Sequence, residues 1–289
     1  MWRLETPKLE AAKHDVHVTV NHTKQLDAAD EAKLVTLYEK YHKQGGRVTD
    51  EDLKPLESKK DVIRGMYPKS SGKATPRKNQ TIGSDNPLVY MRNDLMRGVV
   101  RCPMCSILRV SDLDHVWPES DYGQLAVCRL NLVPTCGKCN NAKRRANPKE
   151  FIHSYYQQFP VNKVFLIASC KVVAGKIIAR FVIDQQALHD DKLAHTLHRQ
   201  MVNIHLRERL QKESQEFFMK LFRGAKVKTD AEVQVFLKER LEKYKKPEMY
   251  GLNDWRTAIL RGLIACHAMD IKVVRSYQTA KARMKDVNI

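Results

Sequence analysis

Two Cys-x-x-Cys pairs constrain this chain more than any other feature of its sequence. Cys102 and Cys105 form the first pair, and Cys136 and Cys139 form the second, with 30 residues between the pairs. Zn²⁺ prefers four thiolate or imidazole ligands in a tetrahedron, and each pair can offer two thiolates from one tight turn. The alternative, four buried or free cysteines, requires two coincident pairings. The spacing therefore predicts one closed structural Zn²⁺ site, with the intervening residues looping out as a hairpin.

The remaining cysteines support a metal-binding role for the paired ones. The chain has seven cysteines, and Cys128, Cys170 and Cys266 are scattered. An odd, partly paired set is typical of metal binding in a reducing compartment and not of a disulfide framework. The N-terminus lacks an apolar signal segment, and no run of about 18 apolar residues occurs. We therefore expect a cytoplasmic protein without a membrane partner.

The charge balance indicates a polyanionic partner. Lys and Arg number 51 against 33 Asp and Glu, which gives a net charge of +18. Such an excess points first to nucleic acid, although a merely basic protein without such a partner is the alternative. The apolar fraction of 43% and the length of 289 residues allow a sizeable core in one large domain or two.

Polar residues between and after the cysteine pairs are candidates for a second, catalytic site. Residues 110–117 read as a strand that Pro118 ends, and this strand contains Asp114 and His115. Adjacent side chains of a regular strand point to opposite faces, so both would serve one site only at a bulge or a strand end. Asn131 and Asn140 follow. This set is more specific than an Asp-His pair alone.

Apolar periodicity predicts an α+β, mostly helical chain. Residues 1–26 have weak periodicity, 59–78 read as a basic loop, and the tail from Lys272 is expected to be less ordered. We divide the chain into an N-terminal helical region (1–98), the cysteine-containing module (99–150) and a helical C-terminal region with a β-hairpin (151–289). The predicted helices cover 27–44, a segment opened by a capping box at Thr49, 86–98, 149–159, 190–222, 230–244 and 253–269; the predicted hairpin pairs 164–172 with 176–183.

The order of motifs resembles the HNH endonucleases. In sequence they read Cys-x-x-Cys, Leu-Asp-His-Val-Trp-Pro and Asn-Leu-Val-Pro-x-Cys-x-x-Cys-Asn-x-x-Lys, and together they span about one-sixth of the chain, from Arg101 to Pro148. The resemblance implies a small ββα-metal module, with a hairpin and a helix around a divalent cation. Asn140 stands where the last His of the family name is expected, a variant familiar among such nucleases.

The resemblance also implies a role for each motif residue. His115 would be the general base that activates water, and Asp114 and Asn140 would bind Mg²⁺ or Mn²⁺. Asn131 would hold the loop that orients His115. Lys143 would approach the scissile phosphate, and Arg144 and Arg145 would bind neighbouring phosphates. The expected activity is hydrolysis of DNA, by nicking or double-strand cleavage.

The wording Leu-Asp-His-x-x-Pro-x-Ser-x-Tyr is similar to stand-alone bacterial HNH nucleases that accompany ATPases in anti-phage defence of the Septu type. This similarity implies an antiviral role and an ATPase partner. The chain has no Gly-x-x-x-x-Gly-Lys-Ser/Thr loop of its own. A zinc-containing nucleic-acid-binding module without catalysis is the alternative function, and an interaction scaffold built on the C-terminal helices is a third.

Overall fold

The computed structural model describes residues 3–67, 89–144, 147–160 and 162–285. The fold is α+β and mostly helical, with two small antiparallel sheets, as the sequence predicted. The chain divides into two compact units, Trp2–Phe159 and Pro160–Ile289. No helix among the described residues is long and apolar enough to cross a membrane.

Helices form the first part of the first unit, and side chains cap two of them. Asp27 and Thr49 each form a capping box. The side chain of the N-cap residue accepts from the backbone amide three residues later, and the carboxylate of that later residue accepts from the backbone amide of the N-cap residue. The capping box at Thr49 was predicted, and α2 ends at Lys43, one residue before its predicted end. The helices of this part are α1 (Leu9–His22), α2 (Ala28–Lys43), α3 (Asp50–Leu53), α4 (Lys60–Gly65), which follows a 3₁₀ turn, and α5 (Val89–Met96).

A two-stranded sheet and a short helix follow. Strand β1 (Asp112–His115) pairs antiparallel with β2 (Leu132–Thr135), and α6 (Gly137–Lys143) comes directly after β2 and packs on β1. The register is regular, with Asp114 opposite Val133 and His115 opposite Leu132. Between the strands lie two 3₁₀ turns, Gly123–Leu125 and Arg129–Asn131.

One hydrophobic core joins these elements. Buried side chains of α1, α2 and α4 pack with those of the sheet and of the loop between its strands. A buried ion pair crosses this core, since Arg129 Nη2 lies 2.9 Å from Asp15 Oδ1 and Tyr90 Oη donates to the same oxygen over 2.6 Å. The regions predicted as 1–98 and 99–150 therefore share one core within this unit.

The described part of the second unit contains a hairpin and six helices. Strand β3 (Leu166–Val173) pairs with β4 (Lys176–Ile183) through a turn at Ala174-Gly175, as predicted. Backbone of β3 lies close to a helix, because a Cβ on Gly262 would meet the carbonyl oxygen of Ala168 at 2.2 Å. The helices are α7 (Gln185–Leu188), α8 (Asp191–Asn203), α9 (Leu206–Phe222), α10 (Asp230–Tyr244), α11 (Trp255–Ile264) and α12 (Ile271–Lys285).

Five sequence predictions differ from the structure. The weakly periodic N-terminus forms α1, and the tail from Lys272 is helical through Lys285. The helix predicted over 190–222 breaks into two because His205 adopts a left-handed conformation (φ 50°). The helix predicted over 149–159 is instead a 3₁₀ turn and irregular chain. Of the predicted 59–78 loop, Lys60–Gly65 is helical, and 68–78 lies outside the described residues.

Candidate active site

The first cysteine pair sits in a tight turn closed by backbone hydrogen bonds. The amide of Cys102 donates to the carbonyl of Leu108 over 2.9 Å, and the amide of Ser106 donates to the carbonyl of Cys102 over 2.8 Å. Ser106 takes a left-handed conformation (φ 57°), which turns the chain back on itself. The amide of Ile107 points at the sulfur of Cys105 at 3.5 Å.

The second pair is carried by the start of α6. Cys136 is the N-cap residue, and Cys139 lies in the first turn, where its amide donates to the Cys136 carbonyl over 3.0 Å. The four Sγ atoms all lie within 4.8 Å of one another, and those of Cys105 and Cys136 are 3.9 Å apart. Sulfurs around a tetrahedral Zn²⁺ are separated by about 3.8 Å.

All four thiols are buried, and among the described residues they form the one group of His, Cys, Asp or Glu side chains that could hold a metal with three or more ligands. Hydrogen bonding from Cys102 lowers the pKa of Cys136. The site is therefore compatible with a structural metal such as zinc, as the sequence predicted. Four protein ligands would leave no open position for substrate.

Asp114 and Lys143 form a buried ion pair between β1 and α6. The Lys143 ammonium lies 3.1 Å from Asp114 Oδ1 and also donates to the carbonyl of His115. Burial raises the pKa of Asp114 to about 6, against the opposing charge of Lys143. The second carboxylate oxygen, Oδ2, is buried and has no hydrogen-bond partner among the described residues. An oxygen of this kind has the chemistry of a ligand for a hard divalent cation.

Lys143 is thus placed differently from what the sequence suggested. Its side chain is 1% exposed, with the ammonium 5.9 Å from the centre of the Phe151 ring. The predicted approach to a phosphate would need this ammonium near the surface. The structure instead uses its charge inside the protein, because a buried carboxylate at Asp114 is stable only beside a compensating cation.

His115 ends β1 and packs in a nearly closed environment. Its Nε2 lies 2.8 Å from the carbonyl oxygen of Ala126, and the ring of Tyr67 meets it edge-on with centroids 4.5 Å apart. A carbonyl can only accept, so Nε2 carries the hydrogen and Nδ1 carries the lone pair in the neutral ring. Burial lowers the pKa of His115, although Glu119, whose Oε2 is 4.0 Å from Nε2, opposes this.

The regular strand register shows that no bulge brings the side chains of Asp114 and His115 to one face of the sheet. No bulge interrupts the pairing of β1 with β2, and His115 is the last residue of the strand. Asp114 contacts α6 through Lys143, whereas His115 contacts the loop between the strands. The shared element is Lys143, which bonds the side chain of one residue and the backbone of the other.

Asn131 has every side-chain hydrogen bond satisfied. Its Oδ1 accepts from the amide of Trp117 over 2.9 Å and from the hydroxyl of Tyr41 over 3.2 Å. Its Nδ2 donates to the carbonyls of Trp117 and Leu125 over 3.1 and 3.2 Å. The side chain is fully buried. It therefore fixes the backbone at Trp117, two residues after His115.

Asn140 lies on α6 one turn before Lys143 and is half-buried. Residues three apart are neighbours on a helix surface, so Asn140 lies on the side of α6 that carries Lys143 to Asp114. Arg144, which ends the helix with a positive φ of 43°, is exposed and donates to the carbonyl of Asn141. Arg145 lies outside the described residues.

Three residues that contact the site were not predicted from the sequence: Tyr41, Tyr67 and Glu119. Tyr41 lies in α2 and Tyr67 lies two residues after the end of α4, both far from His115 along the chain, so an aromatic residue at either position gives no sign of a site. Glu119 follows His115 by four residues, and this short spacing was the one available signal. Comparisons with protein-family models, curated proteins and solved structures found no match to this chain.

Proposed function

We propose that this chain is a metal-dependent HNH endonuclease that hydrolyses DNA phosphodiester bonds. The observation that carries the proposal is the state of His115. Its Nε2–H is committed to the Ala126 carbonyl, and burial favours the neutral ring. Nδ1 is thereby left with a lone pair, and a neutral imidazole held in one orientation can take a proton from an attacking water.

The surroundings of His115 support this role. Asn131 holds the backbone on both sides of the Pro118 turn, and Lys143 binds the carbonyl of His115 itself. Such hydrogen bonds fix the direction of the ring, and a general base must be positioned before its pKa matters. The hairpin and α6 that present these residues are joined by the four-cysteine cluster, which would hold Zn²⁺.

The unpartnered Oδ2 of Asp114, with the carboxamide of Asn140, fits a hard cation. Mg²⁺ or Mn²⁺ bound there would supply positive charge to the phosphate and the leaving oxygen. In this proposal Lys143 is a positioning residue: it binds Oδ1 of Asp114 and leaves Oδ2 for the cation. The similarity to nucleases of anti-phage defence extends the proposal to a cytoplasmic effector that acts with an ATPase partner.

Incubation of the purified chain with supercoiled plasmid and Mg²⁺ or Mn²⁺ tests the proposal. We expect nicked or linear product from the wild type and none from His115→Gln, whose amide can still donate to Ala126 but cannot act as a base. His195→Ala, at an exposed histidine of α8, is the matched control and should cut normally. Zinc content and thermal unfolding should match the wild type in both variants.

Two outcomes would contradict the proposal. Cleavage by His115→Gln at the wild-type rate would remove His115 as the base. Plasmid binding with no cleavage in either metal would favour the non-catalytic zinc module. An RNA substrate of the same sequence, assayed in parallel, decides whether DNA is the preferred polymer.

A further inference from the structure

The β3–β4 hairpin of the second unit has one buried face and one open face. Alternate residues from Leu166 and from Ile177 point inward and are buried. The opposite set is largely exposed, with Val173 and Val182 at 54% and 49%. We call this set the outer face; it consists of Ile167, Ser169, Lys171, Val173, Lys176, Ile178, Arg180 and Val182.

The outer face carries positive charge and no negative charge. The sequence from Pro160 to Ile183 contains no Asp or Glu. Lys171, Lys176 and Arg180 are all exposed. Among the ion pairs of the described residues, none involves any of these three cations.

Strand register brings the three cations together. Lys171 lies opposite Ile178, so its diagonal neighbours on β4 are Lys176 and Arg180. Diagonal neighbours on one face are about 7–8 Å apart, and like charges at short range destabilise a sheet. Lys176 and Arg180 are four residues apart in one strand, or about 14 Å. The hairpin thus holds a row of like charges, and none of the three forms an ion pair within 4.0 Å among the described residues.

The geometry points to nucleic acid as the partner of this face, and we propose that the outer face of the β3–β4 hairpin is a nucleic-acid-binding surface. Duplex DNA presents one negative charge per about 1.7 Å of axis, so a 14 Å row of cations meets several phosphates. A two-stranded ribbon also fits the major groove of DNA. The aliphatic side chains between the cations can contact sugars and base edges.

A groove beside the hairpin extends the surface. It lies between β4 and α9 and is lined by Lys176, Ile178, Gln211, Lys212 and Gln215, together with Glu208, the one carboxylate among its lining residues. The amide of Gln215 is held to the carbonyl of Ile177 over 2.9 Å. Lys212 therefore adds a fourth cation to the same side of the unit.

Binding of a short labelled DNA duplex, followed by fluorescence anisotropy without added divalent cation, tests the surface. For Lys171→Gln/Lys176→Gln/Arg180→Gln in the full chain we expect about tenfold weaker binding, and a slope of log K against log salt shallower by about 2–3. The matched control neutralises three exposed cations of the same unit, Lys238→Gln/Lys243→Gln/Lys246→Gln, and should stay within about twofold of the wild type.

Charge retention is the second test. Lys171→Arg/Lys176→Arg should keep wild-type affinity, because the phosphate contacts are preserved. Equal loss in the hairpin and control triples would overturn the proposal, since the effect would then be one of net charge alone. So would unchanged DNA binding in the hairpin triple. Binding of anionic phosphatidylserine vesicles, lost in that triple while DNA binding persists, would assign the face to a membrane and also overturn it.

The surface does not depend on the proposed nuclease activity. Binding is measured without divalent cation, and cleavage only with it. If the wild-type chain binds DNA through the hairpin but does not cleave it, only the proposed endonuclease activity is contradicted. If the hairpin triple variant cleaves DNA normally and binds it as tightly as the wild type, only the proposed binding surface is contradicted.

Discussion

The hydroxyl of Tyr41, in α2, donates a hydrogen bond to Oδ1 of Asn131 over 3.2 Å, and so ties an N-terminal helix to the residue that fixes the chain after His115. The same hydroxyl lies 3.0 Å from Nε2 of His153. A hydroxyl has one hydrogen, so if it is given to Asn131 then His153 must donate. His153 therefore carries a hydrogen on Nε2, and burial, which lowers its pKa to about 3, keeps the ring otherwise unprotonated.

Removing this hydroxyl should destabilise the first unit. Tyr41→Phe leaves the Nε2–H of buried His153 without its acceptor and takes one of two donors from Asn131. An unsatisfied buried polar group costs about 1–3 kcal/mol, which urea unfolding can measure.

Tyr122→Phe is the matched control for this change. The ring of Tyr122 packs edge-on against Trp117, and its half-exposed hydroxyl has no hydrogen bond among the described residues. We expect its effect to stay within about 0.5 kcal/mol. Equal stability of Tyr41→Phe and Tyr122→Phe would mean that the Tyr41 contacts contribute nothing.

The sequence predicts those parts of the site whose chemistry is local. Cysteines two residues apart on a turn have few alternatives to metal binding, so the cluster could be identified from spacing alone. The capping boxes at Asp27 and Thr49 are equally local. Lys143 shows the limit. The resemblance singled out Lys143, but whether its charge meets a phosphate or a buried carboxylate depends on how deeply Asp114 lies.

Contacts between distant segments could not be predicted. Helix α1 was missed because its buried face includes Asp15 and Thr19, which break the apolar period. Both are satisfied in the fold, Asp15 by Arg129 and Thr19 by a backbone carbonyl within the helix. From sequence alone, a polar residue on the buried face of a helix is predicted to be exposed. Asp15 is buried because it pairs with Arg129, which is 114 positions away in the sequence.

Loss of one cysteine should remove the metal and the stability that depends on it. Cys136→Ser takes a ligand from the cluster and should lower bound zinc from about one equivalent to none, with loss of cooperative unfolding of the first unit. Metal content by mass spectrometry and circular dichroism measure the two effects. Cys128→Ala, at a buried cysteine outside the cluster, should keep its zinc. Full zinc content in Cys136→Ser would exclude the four-cysteine site.

Breaking the Asp15–Arg129 pair should be costly because its partner is left behind. Asp15→Ala leaves the buried Arg129 guanidinium with only the half-exposed Asp94, whose Oδ2 is 3.9 Å from Nη1, and removal of one partner of a buried pair costs about 3–5 kcal/mol. Glu39→Gln, which removes the exposed pair with Lys13, is the control and should change stability by less than about 1 kcal/mol. Similar losses in both variants would show that burial adds nothing to the first pair.

Acid should destabilise the first unit through His153. Burial, with the nearby charge of Lys143, lowers the pKa of this histidine to about 3, whereas the unfolded chain binds a proton near its ordinary value. A depressed histidine pKa means that the unfolded state takes up the proton first. Its contribution to stability is therefore complete above about pH 6.5 and is lost as the pH falls towards 3.

The expected size follows from the difference between the two states. Between about pH 7 and about pH 5, the free energy of unfolding should fall by about 2 kcal/mol because of this one group. Urea unfolding of the wild type and of His153→Gln at both pH values isolates the contribution, since other titrating groups are common to both proteins. The variant should lose about 2 kcal/mol less than the wild type over this range. If the two proteins lose the same amount, the folded state takes up the proton on His153 as readily as the unfolded state does, and burial does not depress the pKa of this histidine.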